Sequence, residues 1–253
     1  MTLLSRRHAL LGALLAGAGC APSFRAQIPG VRSAERLLGE GPVVLGPEEG
    51  LVAGVAIAAF SLEVAAGLNL SLGRILQTRF ILADAAEQQV SIPIRPPLED
   101  TEEVEEAGVV FWITPFAMRL PAGRHRLIGH ARQVAQPTPT GWMFFQAEAP
   151  LTIDVRAGEA ANIGGIGQLA QNMVFVDRAA RDAACAPALR NDRTVYGPLC
   201  ERWEVPFLRH DMARDRARIL ARFPALAALS LVDRPLAPTP QWPLWPDVLL
   251  RRA

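Results

Sequence analysis

Apolar and polar positions alternate with a period of two in several stretches of this chain. Val64, Ala66, Leu68, Leu70 and Leu72 alternate with Glu63, Ala65, Gly67, Asn69 and Ser71; Val90, Ile92 and Ile94 alternate with Gln89, Ser91 and Arg95; Leu151, Ile153 and Val155 alternate with Thr152, Asp154 and Arg156. Successive strand residues point to opposite faces, so each pattern predicts a strand with one face on a core. Further strands are expected at residues 75–82, 109–114, 125–134, 142–148, 160–166 and 173–176. The run from Leu51 through Leu72 is apolar enough to imitate a membrane span, but Glu63 and Asn69 would be costly in lipid.

Turn chemistry separates these runs. In Leu120-Pro121-Ala122-Gly123-Arg124 the proline fixes φ and the glycine permits a positive φ, and Gly158 sits between the apolar runs that end at Val155 and begin at Ala160. Short strands divided by turns, with no helices between them, favour a sandwich or barrel over a parallel βαβ sheet. The expected fold is mainly β: an antiparallel β-sandwich over residues 51–177, followed by a helical, disulfide-linked tail over residues 178–253 that packs on it. The stretches LPAGRHRLIGHA and LTIDVRAGEAANIGGI resemble the turn-and-strand signature of prealbumin-like sandwiches, found in bacterial envelope lipoproteins and in the carboxypeptidase regulatory family. That resemblance implies a binding or structural module and brings no catalytic residues.

The periodicity changes after Val176. Met212, Ile219, Leu220 and Phe223 recur among Arg214, Arg216, Arg218 and Arg222, which predicts an amphipathic helix ending before Pro224. Five prolines between Pro235 and Pro246, with Trp242 and Trp245 among them, predict an extended segment.

At the other end, MTLLSRRHALLGALLAGAGC has a positive start at Arg6 and Arg7, an apolar run from Ala9 to Ala18 and small residues before a cysteine, which is the plan of a secretory signal over residues 1–19. The run is about half the roughly 20 residues a membrane-spanning helix needs. Gly17-Ala18-Gly19-Cys20 resembles a bacterial lipobox, with Gly17 where that family more often has Leu. The resemblance implies cleavage before Cys20 and acylation of its thiol. It also favours the outer membrane, since Ala21 replaces the aspartate of inner-membrane retention. A soluble periplasmic protein, cleaved near Ala21, is the alternative. Ser5-Arg6-Arg7 resembles the start of a twin-arginine signal, so the export route stays open. Residues 20–50, rich in Pro and Gly, read as a tether; alternatively they wrap the domain, since Val43, Val44 and Leu45 are apolar enough to form an edge strand. With Cys20 as the anchor, Cys185 and Cys200 are an even pair in an oxidising compartment, and a disulfide between them is the economical reading.

Composition removes several function classes. Arg and Lys total 26 against 25 acidic residues, so no net basic field suggests nucleic acid. All 26 basic residues are arginine, which excludes a P-loop lysine, a Schiff-base lysine and a Ser-Lys dyad. No GxSxG or HExxH occurs, and the glycines of Asn162-Ile163-Gly164-Gly165-Ile166-Gly167 lack dinucleotide-binding spacing; they suit a bulge where a side chain would not fit. No cofactor or metal is expected. His125, His130 and His210 with nearby carboxylates carry the alternative of a periplasmic hydrolase or metal-dependent enzyme, although His125 and His130 would face opposite sides of a straight strand.

The run from Glu99 to Glu106 holds six acids in eight positions and reads as a solvated loop between strands. Glu102, Glu103, Glu105 and Glu106, with Trp242 and Trp245, are the candidate partner surface; closing the core is the other role for the tryptophans. The acidic run and the Arg-rich helix are the strongest charge asymmetry, and pairing within one molecule or between two fits equally. The function expected is a non-enzymatic cell-envelope lipoprotein, a structural, assembly or protein-binding module held to the membrane through Cys20.

Overall fold

The computed structural model describes residues 28, 30–38, 41–61, 75–95, 101–106, 109–134, 141–170 and 205–245. The expected signal segment, Cys20, the strands at 63–72 and 173–176, and Cys185 and Cys200 lie outside the described residues.

The protein is mainly β, built as two mixed sheets. The five-stranded sheet has the order β1 (Arg32–Ser33), β4 (Gln89–Arg95), β3 (Ile75–Ala83), β7 (Gly123–Val134), β8 (Gly141–Val155). The six-stranded sheet runs β10 (Val205–Arg209), β9 (Ala160–Ala170), β2 (Glu49–Ser61), β6 (Val109–Pro121), β5 (Glu102–Glu106), with β11 (Leu231–Asp233) also on β9. Between the sheets lies the main core: Val52, Ala56, Phe116 and Met118 from one side meet Phe80, Ile92, Leu127 and Ile153 from the other. The expectation of purely antiparallel sheets is corrected. β9 crosses from the other sheet to lie parallel to β2, and β1 on β4 and β11 on β9 are parallel as well.

Both predicted turns are corners between sheets rather than hairpins within one. At Gly123, with φ +135°, the chain leaves β6 for β7; at Gly158, with φ +70°, it leaves β8 for β9. Both corners are tied to the start of β2: the Ala122 amide donates to Glu48 O at 2.7 Å, and the Gly158 amide to Glu49 O at 2.8 Å. Gly50 allows this closeness, since a Cβ there would lie 2.3 Å from Arg156 O.

The six-stranded sheet is covered on both faces, which explains why Leu51 through Ala59 is buried without interruption and shows no alternation. Its outer face meets α2 (Met212–Arg222) and the 3-10 turn Pro224–Ala228, through Leu51, Ala53 and Ala117 against Ile219 and Leu226. The C-terminal segment therefore does more than pack on a finished sandwich. It supplies β10 and β11 along the free edge of β9, and Leu208, Leu236 and Trp242 enter the main core.

From Ile28 onward the described residues of this segment lie against the domain, and Val43, Val44 and Leu45 form no edge strand. Ile28 is buried on Ile81 and Ala131, and Ala34, in α1 (Ala34–Leu37), is buried at the main core. The buried Arg79 guanidinium donates to Ser33 Oγ at 3.1 Å and Ser91 Oγ at 3.3 Å, pinning β1 to β4. Val43 and Leu45 pack under the helix side while Val44 is exposed. The two strands expected at 142–148 and 151–155 are one strand, β8, whose register shifts where Leu127 and Gly129 pair with Leu151 and Gln146.

Candidate functional site

The acidic run is a strand, not a loop. In β5, Val104 packs toward the cluster of Val55, Ile57, Phe111 and Phe207, so a single apolar residue among four glutamates holds the edge of the sheet. Charges on an edge strand hinder pairing with a second chain, so they suit this place. Alternation then divides the four. Glu102 and Glu106 share the face of Val104 and meet arginines, while Glu103 and Glu105 lie on the other face, both exposed. Glu103 Oε2 accepts from Trp112 Nε1 at 3.0 Å.

Acidic strand and Arg-rich helix meet within one molecule. Arg218 on α2 donates from Nε to Glu102 Oε2 at 2.6 Å and from Nη2 to Oε1 at 3.1 Å, a bidentate pair, while its Nη1 reaches Asp215 Oδ1 at 3.2 Å. The Arg218 hydrogen bond holds the Glu102 carboxyl below the usual range. Asp215 is 1% exposed, and burial pushes its pKa up to about 6 despite Arg218. Next to it Arg209, at the end of β10, donates from Nη2 to Glu106 Oε2 at 2.9 Å and lies 5.0 Å over the Phe111 ring. Asp215 Oδ2 and Arg209 Nη1 are both buried with no hydrogen-bond partner among the described residues.

Of the six candidate partner residues, this junction gathers Glu102, Glu106 and Trp245. Trp245 stands edge-on to Phe111 at 4.9 Å and tilted against Phe207 at 5.3 Å. Trp242 is elsewhere: it is 3% exposed in the main core, near Phe80, with Nε1 donating to Ala149 O at 3.0 Å. It fills the core and offers no surface to a partner, because an extended tail lays it over the open end between the sheets.

Sequence reasoning missed Asp215 and Arg209 as members of the junction. The spacing of Asp215 and Arg218 on a helix signals their pairing, whereas nothing local marks Arg209.

The histidines do not form a site. Register shifts at Ile128 in both pairings of β7 place His125 opposite Ile153 and His130 opposite Phe80, so both fall on the core side, contrary to the straight-strand expectation. They remain roughly 15 Å apart along the strand. His125 is buried with Nε2 2.9 Å from Pro121 O, His130 is buried, and His210 is exposed beyond β10. Among the described residues, no three His, Cys, Asp or Glu side chains are grouped to hold a metal.

The glycine cluster has a steric cause. Gly164 has φ +79° at the bulge opposite Ala53 and Val55, and a Cβ on Gly167 would lie 2.2 Å from Phe207 Cζ. Asn162, fully buried, braces the bulge: Oδ1 accepts from the Gly164 amide at 3.2 Å and Nδ2 donates to Asp233 Oδ1 at 2.9 Å.

A second surface lies on the outer face of the five-stranded sheet. A groove of about 590 Å³ has Ile81, Ile128 and Phe144 on its floor and Gln89, Arg126 and Gln146 among its polar lining. Phe144 is 59% exposed. Among the described residues no helix is long and apolar enough to cross a membrane.

No protein-family model matches this chain, and no curated protein matches it. Among solved structures, a leucine-rich repeat protein from Bacteroides thetaiotaomicron aligns with 51% of this chain and 14% of its own length, at 11% identity and a TM-score of 0.27, a likeness that carries neither fold nor function.

Proposed function

We propose that this is a non-enzymatic envelope lipoprotein, anchored through acylated Cys20 with its β domain in the periplasm, the outer membrane favoured, and acting as a protein-binding or assembly module of prealbumin-like type. A Cys185–Cys200 disulfide belongs to the same reading. The observation that carries it is the plan of residues 1–20, a positive start, an apolar run and Gly17-Ala18-Gly19-Cys20. Eight residues after Cys20, Ile28 is already buried against the five-stranded sheet and β1 is hydrogen-bonded in place. An acyl group on Cys20 would thus hold the domain close to the bilayer rather than on a long leash.

The partner surface is the β5 edge. Glu102 and Glu106 are engaged by arginines, which fixes the strand, and Glu103, bonded to Trp112, and Glu105 are exposed on its other face. Such an edge suits a partner with basic side chains. A photo-crosslinking side chain at position 103, in membranes from producing cells, should give a discrete adduct that Glu105→Arg abolishes without changing Tm. An adduct pattern identical to that from a probe at the remote Val44 would count against this surface.

A further inference from the structure

We propose that the outer face of the five-stranded sheet rests on the lipid bilayer, with Phe144 seated at the boundary between headgroups and acyl chains. This rests on the reading that Cys20 is acylated.

The reach of the chain limits which side of the domain the anchor can present. From Cys20 to Ile28 is eight residues, which span at most about 29 Å when fully extended. Ile28 packs on Ile81 and Ala131, which lie outside the main core, so the chain enters over the outer face of this sheet. The opposite side of the molecule is α2 on the six-stranded sheet. Presenting that side to the bilayer would use most of the tether, because stacked sheets are about 10 Å apart and a helix adds about 10 Å more. The five-stranded sheet is the side the anchor reaches with chain to spare.

The chemistry of that face suits a bilayer. The groove floor of Ile81, Ile128 and Phe144 adjoins Ile28, sharing Ile81 with it. Phe144 is the one aromatic among the exposed large apolar residues described, the others being Val44 and Val232. Burying one phenylalanine is too little to recruit a free domain to a membrane. A tethered domain needs far less, because the anchor raises the effective concentration of the bilayer at this face. Gln89, Gln146 and the ion pair of Arg126 with Glu87 then sit where headgroups can meet them, and the β5 edge, on the other sheet, stays available to a partner.

The test uses the full chain isolated from membranes and reconstituted in phosphatidylethanolamine and phosphatidylglycerol vesicles whose acyl chains carry bromine, a contact quencher of tryptophan. Phe144→Trp should add fluorescence that these vesicles quench several-fold more than the fluorescence added by Val232→Trp, on β11 of the other sheet. Equal and weak quenching at both positions overturns the proposal. Intact mass of the same preparation separates the two readings: an acylated chain with unquenched Trp at 144 overturns the orientation alone, and an unacylated chain overturns both.

Discussion

Arg218 and Glu102 stand 116 residues apart in the chain and share two hydrogen bonds, of 2.6 and 3.1 Å, that lock α2 to the edge strand β5. The pair converts the strongest charge contrast of the sequence into an internal fastening. Because Arg218 also holds Asp215, its removal has two costs. Arg218→Met should destabilise the domain more than Glu102→Gln, since it leaves Asp215 buried beside no cation on its own helix. A double-mutant cycle on Glu102 and Arg218, read by denaturant unfolding, should give a coupling of about 1 kcal/mol. A coupling near zero would mean that the pair is ornamental, as many exposed pairs are.

Asp215 sets a pH dependence whose sign follows from burial. Its carboxyl titrates near 6 in the folded protein against 3.8 ordinarily, so the folded state holds the proton more tightly than the unfolded chain. Its contribution to stability is full below about pH 4 and declines as pH rises through 6, by about 3 kcal/mol in all. Glu102, held low by Arg218, acts in the opposite sense and in a lower window: its contribution is present above pH 4.5 and lost as pH falls below it. Unfolding free energy should therefore rise as pH is lowered from 7 toward 5. Asp215→Asn should flatten that rise and stabilise the domain at pH 8. An unchanged profile in this variant would show that other groups control it.

Phe207, directly opposite on β10, makes Gly167 intolerant of a side chain. A Cβ placed 2.2 Å from Phe207 Cζ forces the ring to move in a closed environment, and overpacking of this kind costs about 1–3 kcal/mol. Gly167→Ala should lower Tm, and Phe207→Leu in the same chain should recover part of the loss. An additive pair of losses would place the strain elsewhere.

Trp242 closes the main core from the C-terminal tail. Trp242→Ala should cost about 3–5 kcal/mol, and deletion of residues 238–253 should lower Tm at least as far. An arm that served only to dock a partner would leave Tm unchanged in both.

Legibility in the sequence followed how evenly each strand is shared between core and solvent. β4 keeps Ile92 and Ile94 inward and was plain from its alternation. β2 is buried on both faces, so its register left no periodic trace. β5 carries one apolar residue and looks like a solvated loop until Arg209 and Arg218, more than 100 residues away, neutralise one face of it. Its pairing is a tertiary fact that no local window contains. The register shift at Ile128, which turns His130 inward, has one local mark, Gly129 with φ +153°, because an isolated glycine inside a strand pattern points to a bulge. The wrap of the N-terminal segment depends on Arg79 reaching Ser33, and proline-rich composition alone pointed to a tether.

The central claim is anchorage through Cys20, and intact mass of the membrane-extracted protein tests it most directly, with Cys20→Ala alongside and each sample measured before and after reduction. The account predicts a chain beginning at Cys20 and carrying acyl groups, gaining two protons on reduction as Cys185 and Cys200 are released, and a Cys20→Ala protein without acyl mass. An unacylated wild-type chain with all thiols free would contradict it, and would remove the main reason for reading this β domain as a lipoprotein.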